Sequence, residues 1–251
     1  MSADEAEVIA ALVELHRGLE RQGPGDDLFS DMILDRLPPL RSDGEIADLG
    51  CGTGAASVLL AQRFSRPVLC VDTSEDFLHE LADRAAKAGV DSLTTTMCAD
   101  MGGLDPHEHQ FALIWSEGAA YNLTFDGALR AWRPLLPNGG LAVVSEMSWF
   151  GQVRPTEAAA FWAEAYPAMA GEEENIAAAE RHGFTTLFTE RLPTRAWWTN
   201  YYNPLLTRLT DHEGTRSPAI RAAITEIRHE IDLFRSYSGY YGYSFYVLEA
   251  A

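Results

Sequence analysis

Five carboxylates stand at or near the ends of apolar runs, where a ligand would meet them: Asp48, Asp72, Asp100, Glu117 and Glu146. Asp48 lies in Glu45-Ile46-Ala47-Asp48-Leu49 and precedes Gly50-Cys51-Gly52-Thr53-Gly54. An apolar run, an acid and a glycine-rich turn ahead of a helical composition (Ala55 to Arg63) open a nucleotide-binding α/β unit. Glycines let such a turn be tight and let a ligand lie against backbone. The helix that follows presents unpaired N–H groups and a partial positive charge. The glycines fall as G-x-G-x-G, not as the G-x-G-x-x-G that seats a pyrophosphate. An acid two residues ahead of the first glycine suits an amino-acid-like ligand, through its ammonium or a water, better than a phosphate.

The other acids extend this chemistry. Asp72 falls about 20 residues after the glycine turn, where α/β logic places a carboxylate on ribose hydroxyls. Asp100-Met101 pairs an acceptor for an exocyclic amine with an apolar face for a ring; the same Asp also suits a turn before Gly102-Gly103. Glu117, within Ser116-Glu117-Gly118-Ala119-Ala120-Tyr121-Asn122, sits at the carboxyl end of the next apolar run. Open α/β sheets bind ligands there. Glu146 ends the run after that.

The elements that must position these groups follow from periodicity and breakers. Helices are expected over Asp4–Glu20 and Leu28–Leu37, separated by Gly23-Pro24-Gly25. Strands are expected at Glu45–Leu49, Pro67–Asp72, Leu93–Cys98, Phe111–Trp115, Leu141–Glu146, Gly183–Phe188 and Tyr240–Leu248. Helices between them are expected at Ala55–Arg63, through Ala88 with Gly89 as the stop, at Asp126–Leu136, at Ala158–Tyr166 and at Glu172–His182. Residues 193–237 are too long for a hairpin connection and carry Trp197-Trp198-Thr199-Asn200-Tyr201-Tyr202 and a helix over Ser217–Phe234.

Composition narrows the function classes. The chain has 251 residues and a formal net charge of −18, with 19 Lys+Arg against 37 Asp+Glu and a single lysine, Lys87. That field repels nucleic acid backbones, so no nucleic-acid partner is expected. The three cysteines, Cys51, Cys70 and Cys98, fit neither a disulfide framework nor a zinc pattern. Cys70 and Cys98 are expected in the core. The histidines show no metal spacing, so no metal is expected. The acidic start lacks a signal-peptide shape and no apolar run reaches spanning length, so a cytoplasmic protein with no membrane partner is expected.

Asp48-Leu49-Gly50-Cys51-Gly52-Thr53-Gly54, with Asp72, Asp100-Met101, Ser116-Glu117 and Leu136-Pro137-Asn138-Gly139-Gly140 in order behind it, resembles the class I S-adenosylmethionine-dependent methyltransferases. Arg21-Gln22-Gly23-Pro24-Gly25 and Trp115-Ser116-Glu117-Gly118-Ala119 look like a bacterial small-molecule branch of them, of type 11/25. The resemblance covers residues ~40–250, the size of a single domain. It implies a Rossmann-like, doubly wound α/β sheet of seven strands in the order 3-2-1-4-5-7-6, the last strand antiparallel. N-terminal helices (1–40) would cap a core of residues 41–192 and 238–251, with 193–237 as a helical lid insertion. S-adenosylmethionine is the implied cofactor. Its implied contacts are Gln22, Gly23, Asp48, Gly50, Cys51, Gly52, Asp72, Thr73, Phe77, Asp100, Met101 and Ser116.

Methyl transfer from a sulfonium is an in-line displacement in which the protein positions the nucleophile and excludes water. The expected acceptor is a small molecule, with an amine favoured because carboxylates beside aromatic faces suit a cation. Glu117 is the candidate to orient or deprotonate it. Glu117, Tyr121, Glu146, Trp149, Trp198, Tyr201 and Tyr202 are the candidate acceptor residues; the aromatics equally suit packing of a lid. O-methylation of a phenol or carboxylate, and a nucleoside-binding protein without transfer, remain alternatives. A nicotinamide-dependent oxidoreductase conflicts with the glycine spacing.

Overall fold

A computed structural model describes residues 3–40 and 44–251; the expectations for Met1, Ser2 and residues 41–43 lie outside the described residues. The chain forms α1 Ala3–His16, α2 Asp27–Asp35, β1 Glu45–Leu49, α3 Ala55–Phe64, β2 Val68–Asp72, α4 Glu75–Ala88, β3 Thr94–Cys98, β4 Phe111–Ser116, α5 Phe125–Trp132 and β5 Leu141–Trp149. It continues through α6 Thr156–Ala165, β6 Ala170–Gly171, α7 Glu172–Arg181, β7 Phe184–Arg191, α8 Thr194–Trp197, α9 Asn203–Asp211, α10 Pro218–Tyr237 and β8 Tyr241–Ala250. Local chemistry sets many boundaries. Asp26 caps α2 by accepting from the Phe29 N–H, Ser74 caps α4 by accepting from Phe77 N–H, and Gly89 ends α4 at φ +70°.

The strands lie in the order β3-β2-β1-β4-β5-β8-β7. β1 to β5 are parallel neighbours, whereas β8 runs antiparallel to both β5 and β7. This is the expected Rossmann-like order, with one addition: the two-residue β6 pairs with β5 off the main path. β1 lies between β2 and β4, so the chain winds outward from it in both directions. The carboxyl ends of β1 and β4 therefore border the crevice where such sheets bind ligands. Apolar cores cover both faces. Leu113, Trp115, Val143 and Phe245 point to α1, α2 and α10; Ile114, Ala142, Val144 and Tyr246 point to α5 and α7.

Several boundaries depart from expectation for physical reasons. α1 ends at His16, ahead of Gly18 at φ +75°. α5 stops at Trp132 because Pro134 cannot continue it, and Arg133–Leu135 tighten into a 3₁₀ turn. Pro204 opens α9 rather than breaking a helix, since the first turn needs no N–H there. β5 runs on to Trp149 because β8 pairs along its whole length, from Leu141↔Glu249 to Trp149↔Tyr241. Glu146 is consequently inside a strand, not at its end. Cys98 is exposed, not in the core: β3 is the edge strand, and only one of its neighbours shields it. Cys70 is buried as expected, and burial pushes its thiol up to about 12. Among the described residues, no helix is long and apolar enough to cross a membrane.

Candidate functional site

The carboxyl ends of β1, β2 and β4 open into a cavity of about 580 Å³, within the usual range for small-molecule sites. Its lining unites most of the residues picked out by spacing: Gln22, Gly23, Asp48, Gly50, Cys51, Gly52, Asp72, Thr73, Phe77, Asp100, Met101, Glu117 and Tyr121.

The glycine turn owes its shape to backbone freedom. Gly50, Gly52 and Gly54 hold φ of +77°, +51° and +81°, which L residues avoid. Gly50 and Cys51 N–H groups both donate to Val71 O, at 2.8 and 3.0 Å. A side chain at Gly50 would collide with the Cβ of Ala119 across the cleft. Asp72 holds the turn from the other side: Oδ2 accepts from Gly52 N–H at 2.9 Å and Oδ1 from Ser74 N–H at 2.9 Å. Each of its oxygens keeps a lone pair for a ligand hydroxyl. Asp100 Oδ1 accepts from Gly102 N–H at 2.8 Å, so the turn role and the cavity-lining role coexist. Met101 is anchored through its carbonyl by Trp132 Nε1–H at 3.0 Å.

Asp48 lines the cavity but is only 1% exposed, and Ser57 Oγ–H donates to it at 2.5 Å. Burial raises its pKa to about 7, while the Ser57 hydrogen bond opposes the rise. A cation seated beside it would favour the ionised form. Burial also holds the Cys51 thiol far above its usual range, so Cys51 serves as a small wall residue.

Glu117, at the carboxyl end of β4 as expected, is ion-paired. Arg21 donates to Oε1 at 2.7 Å, and Ser30 Oγ–H and Trp115 Nε1–H both donate to Oε2 at 3.3 Å. Both partners of the ion pair are nearly enclosed, at 11% and 6% side-chain exposure. The segment between α1 and α2 thus straps the cleft. Gln22 Oε1 accepts from Thr53 N–H at 3.1 Å, and Asn200 Nδ2–H donates to Gly25 O at 2.8 Å.

Six of the expected site residues lie elsewhere, Glu146 among them. Ser116 is buried with its hydroxyl donating to Leu49 O at 2.8 Å. Trp149 packs on Tyr241 with ring centroids 5.7 Å apart. Trp198 packs on Tyr202 and Phe234, with Arg235 over its ring. Tyr202 is buried and donates to Glu230 Oε1 at 2.7 Å. Tyr201 meets His16 Nε2 at 3.0 Å, joining α1 to the 193–237 segment. These aromatics pack on neighbouring elements of the fold, and none of them lines the cavity. Arg21, Asn122 and Leu123 line it without having been singled out. The signal for Arg21 lay in its adjacency to Gln22-Gly23.

Glu146 is also outside the cavity lining. It is 2% exposed, and neither oxygen makes a hydrogen bond. Burial raises its pKa to about 8; the nearby Tyr166 hydroxyl moderates the rise without reaching hydrogen-bond geometry. The folded state therefore keeps a proton that the unfolded chain releases near its ordinary 4.5. Stability from this group is full below that value and falls as pH climbs through about 8. Glu146→Gln, always neutral, should escape the loss. Thermal melts should show the variant gaining on wild type from pH 4.5 to pH 8.5; a constant gap would show that Glu146 ionises freely in the folded protein.

The cavity suits S-adenosylmethionine on its own chemistry. Bare glycine backbone at Gly50 and Gly52, a strand-end carboxylate for a ribose and an acid–thioether pair for an adenine line one continuous space. Among the described residues, no group of three or more His, Cys, Asp or Glu is placed to hold a metal.

Known proteins match the same region. Residues 46–140 match the family model described as a methyltransferase domain. The trans-aconitate 2-methyltransferase of Deinococcus radiodurans is 36% identical over 113 residues, which is 44% of this chain and 41% of that protein. The chain thus spans about two-fifths of the length of that relative. Among solved structures, a SAM-dependent methyltransferase from Geobacter sulfurreducens in complex with S-adenosyl-L-homocysteine superposes with a TM-score of 0.79 at 19% identity, covering 96% of this chain and 98% of that one. The [4+2]-cyclase SpnF superposes with a TM-score of 0.74 at 18% identity over 98% and 94%. These two likenesses establish the fold. The methyltransferase-domain match falls on the residues that build the cleft, from β1 through the turn before β5.

Proposed function

We propose that this protein transfers a methyl group from S-adenosylmethionine to a small amine. The observation that carries the acceptor class is the charge of the cavity wall: among the described residues, Asp48, Asp72, Asp100 and Glu117 line it, against one cation, Arg21. Arg21 is itself committed to Glu117 and to Asp27. An anionic acceptor would enter a negative site with no free cation among the described lining residues to receive it, whereas a cationic one is drawn in.

S-adenosylmethionine, when bound, supplies a methyl group activated on a sulfonium. The protein's part is placement. Asp72 holds the ribose, Asp100 and Met101 the adenine, and Asp48 the ammonium of the amino-acid end. Glu117, at the end of β4, faces the acceptor. A carboxylate offers about four lone-pair sites, and three are taken by Arg21, Ser30 and Trp115. The remaining one can accept from an acceptor N–H and so orient its lone pair. Tyr121, 45% exposed in the cavity wall, gives that acceptor an aromatic face. The trans-aconitate 2-methyltransferase relative points by its name to a carboxylate acceptor; the shortage of free cations here argues against carrying that substrate over.

The test is transfer of labelled methyl from S-adenosylmethionine across matched panels of amines, phenols and carboxylates. Label should enter amines. Label in carboxylates alone would overturn the amine reading. Tight S-adenosylhomocysteine binding without transfer to any panel would favour a binding protein, or a chemistry other than methylation such as the cyclase named above.

A further inference from the structure

Buried tyrosine hydroxyls ordinarily find a hydrogen-bond partner. Tyr202 donates to Glu230 at 2.7 Å, Tyr201 meets His16 at 3.0 Å, and Tyr246 meets Ser148 at 2.8 Å and Asn175 at 3.0 Å. The hydroxyls of Tyr166 and Tyr241 lack partners and are fully enclosed. Tyr243 differs from both groups. It is 7% exposed, its hydroxyl makes no hydrogen bond among the described residues, and that hydroxyl is not sealed off.

Tyr243 lies on β8 opposite Met147 of β5, and Trp197 packs on its ring with centroids 5.0 Å apart. A side chain on a paired strand, held by a buried Trp, keeps one position. Its hydroxyl lies behind Gly118, which lines the cavity next to Glu117. Gly118 has no side chain. A Cβ there would stand 3.5 Å from the Tyr243 hydroxyl, and the next nearest atoms belong to the same ring. Gly118 N–H donates to Ser145 Oγ at 2.7 Å, which fixes this piece of the wall. Burial first, then the neighbouring acidic groups of Tyr121, Tyr201, Glu146 and Glu230, hold the Tyr243 pKa well above its ordinary range. The hydroxyl therefore keeps its proton at neutral pH and is free to donate a hydrogen bond.

We infer, resting on the amine reading of the cleft, that the Tyr243 hydroxyl binds the methyl acceptor past Gly118, and that this acceptor is an amine bearing a neutral oxygen a few bonds from its nitrogen. Two complementary groups stand side by side along the wall. Glu117 has one lone-pair site left beside Arg21, Ser30 and Trp115, and it takes the amine N–H. Tyr243 offers a lone donor, and a donor recognises an oxygen. That oxygen is neutral, as in an ether, a hydroxyl or an amide, because an anionic one would face Asp48, Asp72, Asp100 and Glu117. A site built to hydrogen-bond a substrate group rejects analogues lacking it more sharply than an apolar pocket rejects a methylene. Tyr243 is thereby the residue that sets which amines are methylated.

The test uses the full chain and pairs of amines that differ by an ether oxygen in place of a methylene, such as 2-methoxyethylamine and butylamine. Transfer of labelled methyl from S-adenosylmethionine should favour the ether member by at least about threefold in kcat/KM. Tyr243→Phe should erase that preference by slowing the ether member, with the alkyl member changed by less than about twofold. S-adenosylhomocysteine affinity by calorimetry should stay within about twofold of wild type, and melting should hold or rise, because the hydroxyl removed has no partner inside the protein. Tyr241→Phe, which removes an enclosed hydroxyl, should keep the wild-type preference. Equal transfer to both members by wild type, a preference that survives Tyr243→Phe, equal losses for both members in that variant, or a matching loss of S-adenosylhomocysteine affinity would each overturn the inference. Label entering no amine at all would instead remove the reading on which it rests.

Discussion

Gly50→Val is expected to abolish measurable S-adenosylhomocysteine binding and to lower the melting temperature by several degrees. Two costs combine at this position. The backbone sits at φ +77°, where an L side chain costs roughly 1–2 kcal/mol and a β-branched one is a clear outlier. The new Cβ would also overlap Ala119, on the loop that follows β4. Overpacking of this kind costs about 1–3 kcal/mol. Relief requires the β1 turn and the β4 loop to part, and both line the cavity. Gly52→Val should behave differently. Its φ of +51° is strained too, but its Cβ would meet only Gln22 Oε1, at 2.9 Å, the end of a flexible side chain. Binding should fall while melting changes less. Calorimetry and thermal melts on the two variants check the contrast; identical melting losses would mean the Ala119 contact is not limiting.

Asp72→Ala should weaken S-adenosylhomocysteine by about 10- to 150-fold, the equivalent of roughly 1.5–3 kcal/mol for hydrogen bonds to a charged group. The loss has two sources. Ligand hydroxyls lose their acceptor, and the N–H groups of Gly52 and Ser74 lose theirs, at 2.9 Å each. Asp72→Asn separates the two, because its single carbonyl oxygen can keep one backbone bond and still leave the ribose short of a charged acceptor. Its binding should fall between that of wild type and Asp72→Ala, with melting close to wild type. Calorimetric affinity within about twofold of wild type in Asp72→Ala would show that the ribose lies elsewhere.

The placement of the glycine turn, Asp72, Asp100 and Met101 around one cavity was legible in the sequence because local rules govern it. The G-x-G-x-G turn, an acid at the end of β2 and an acid–methionine pair after β3 follow one another at set distances along the chain, and each sits at a strand end that hydrophobic runs reveal. The surroundings of Glu117 and of the aromatic residues were less legible because they depend on contacts between distant elements. Arg21 meets Glu117 across 96 residues. No spacing rule marks that pair. Trp149, Trp198 and Tyr202 are as aromatic as a substrate wall requires; only the placement of α10 and β8 turns them into the core. Glu146 read as a strand-end acid because Met147-Ser148-Trp149 lacks an obvious strand pattern. β8 extends the pairing through it and leaves the carboxyl buried without a hydrogen bond. Cys98 read as core because its run is apolar enough for a central strand, while strand order placed that run at the edge.

The most direct measurement of the central claim is a crystal structure of the full chain grown with S-adenosylhomocysteine. The ligand should lie across the carboxyl ends of β1 and β2, its ribose on Asp72, its adenine between Asp100 and Met101, and the ammonium of its amino-acid end at Asp48. Ligand density at another place, or an empty cleft in crystals soaked at saturating concentration and supported by calorimetry without heat, would contradict the account.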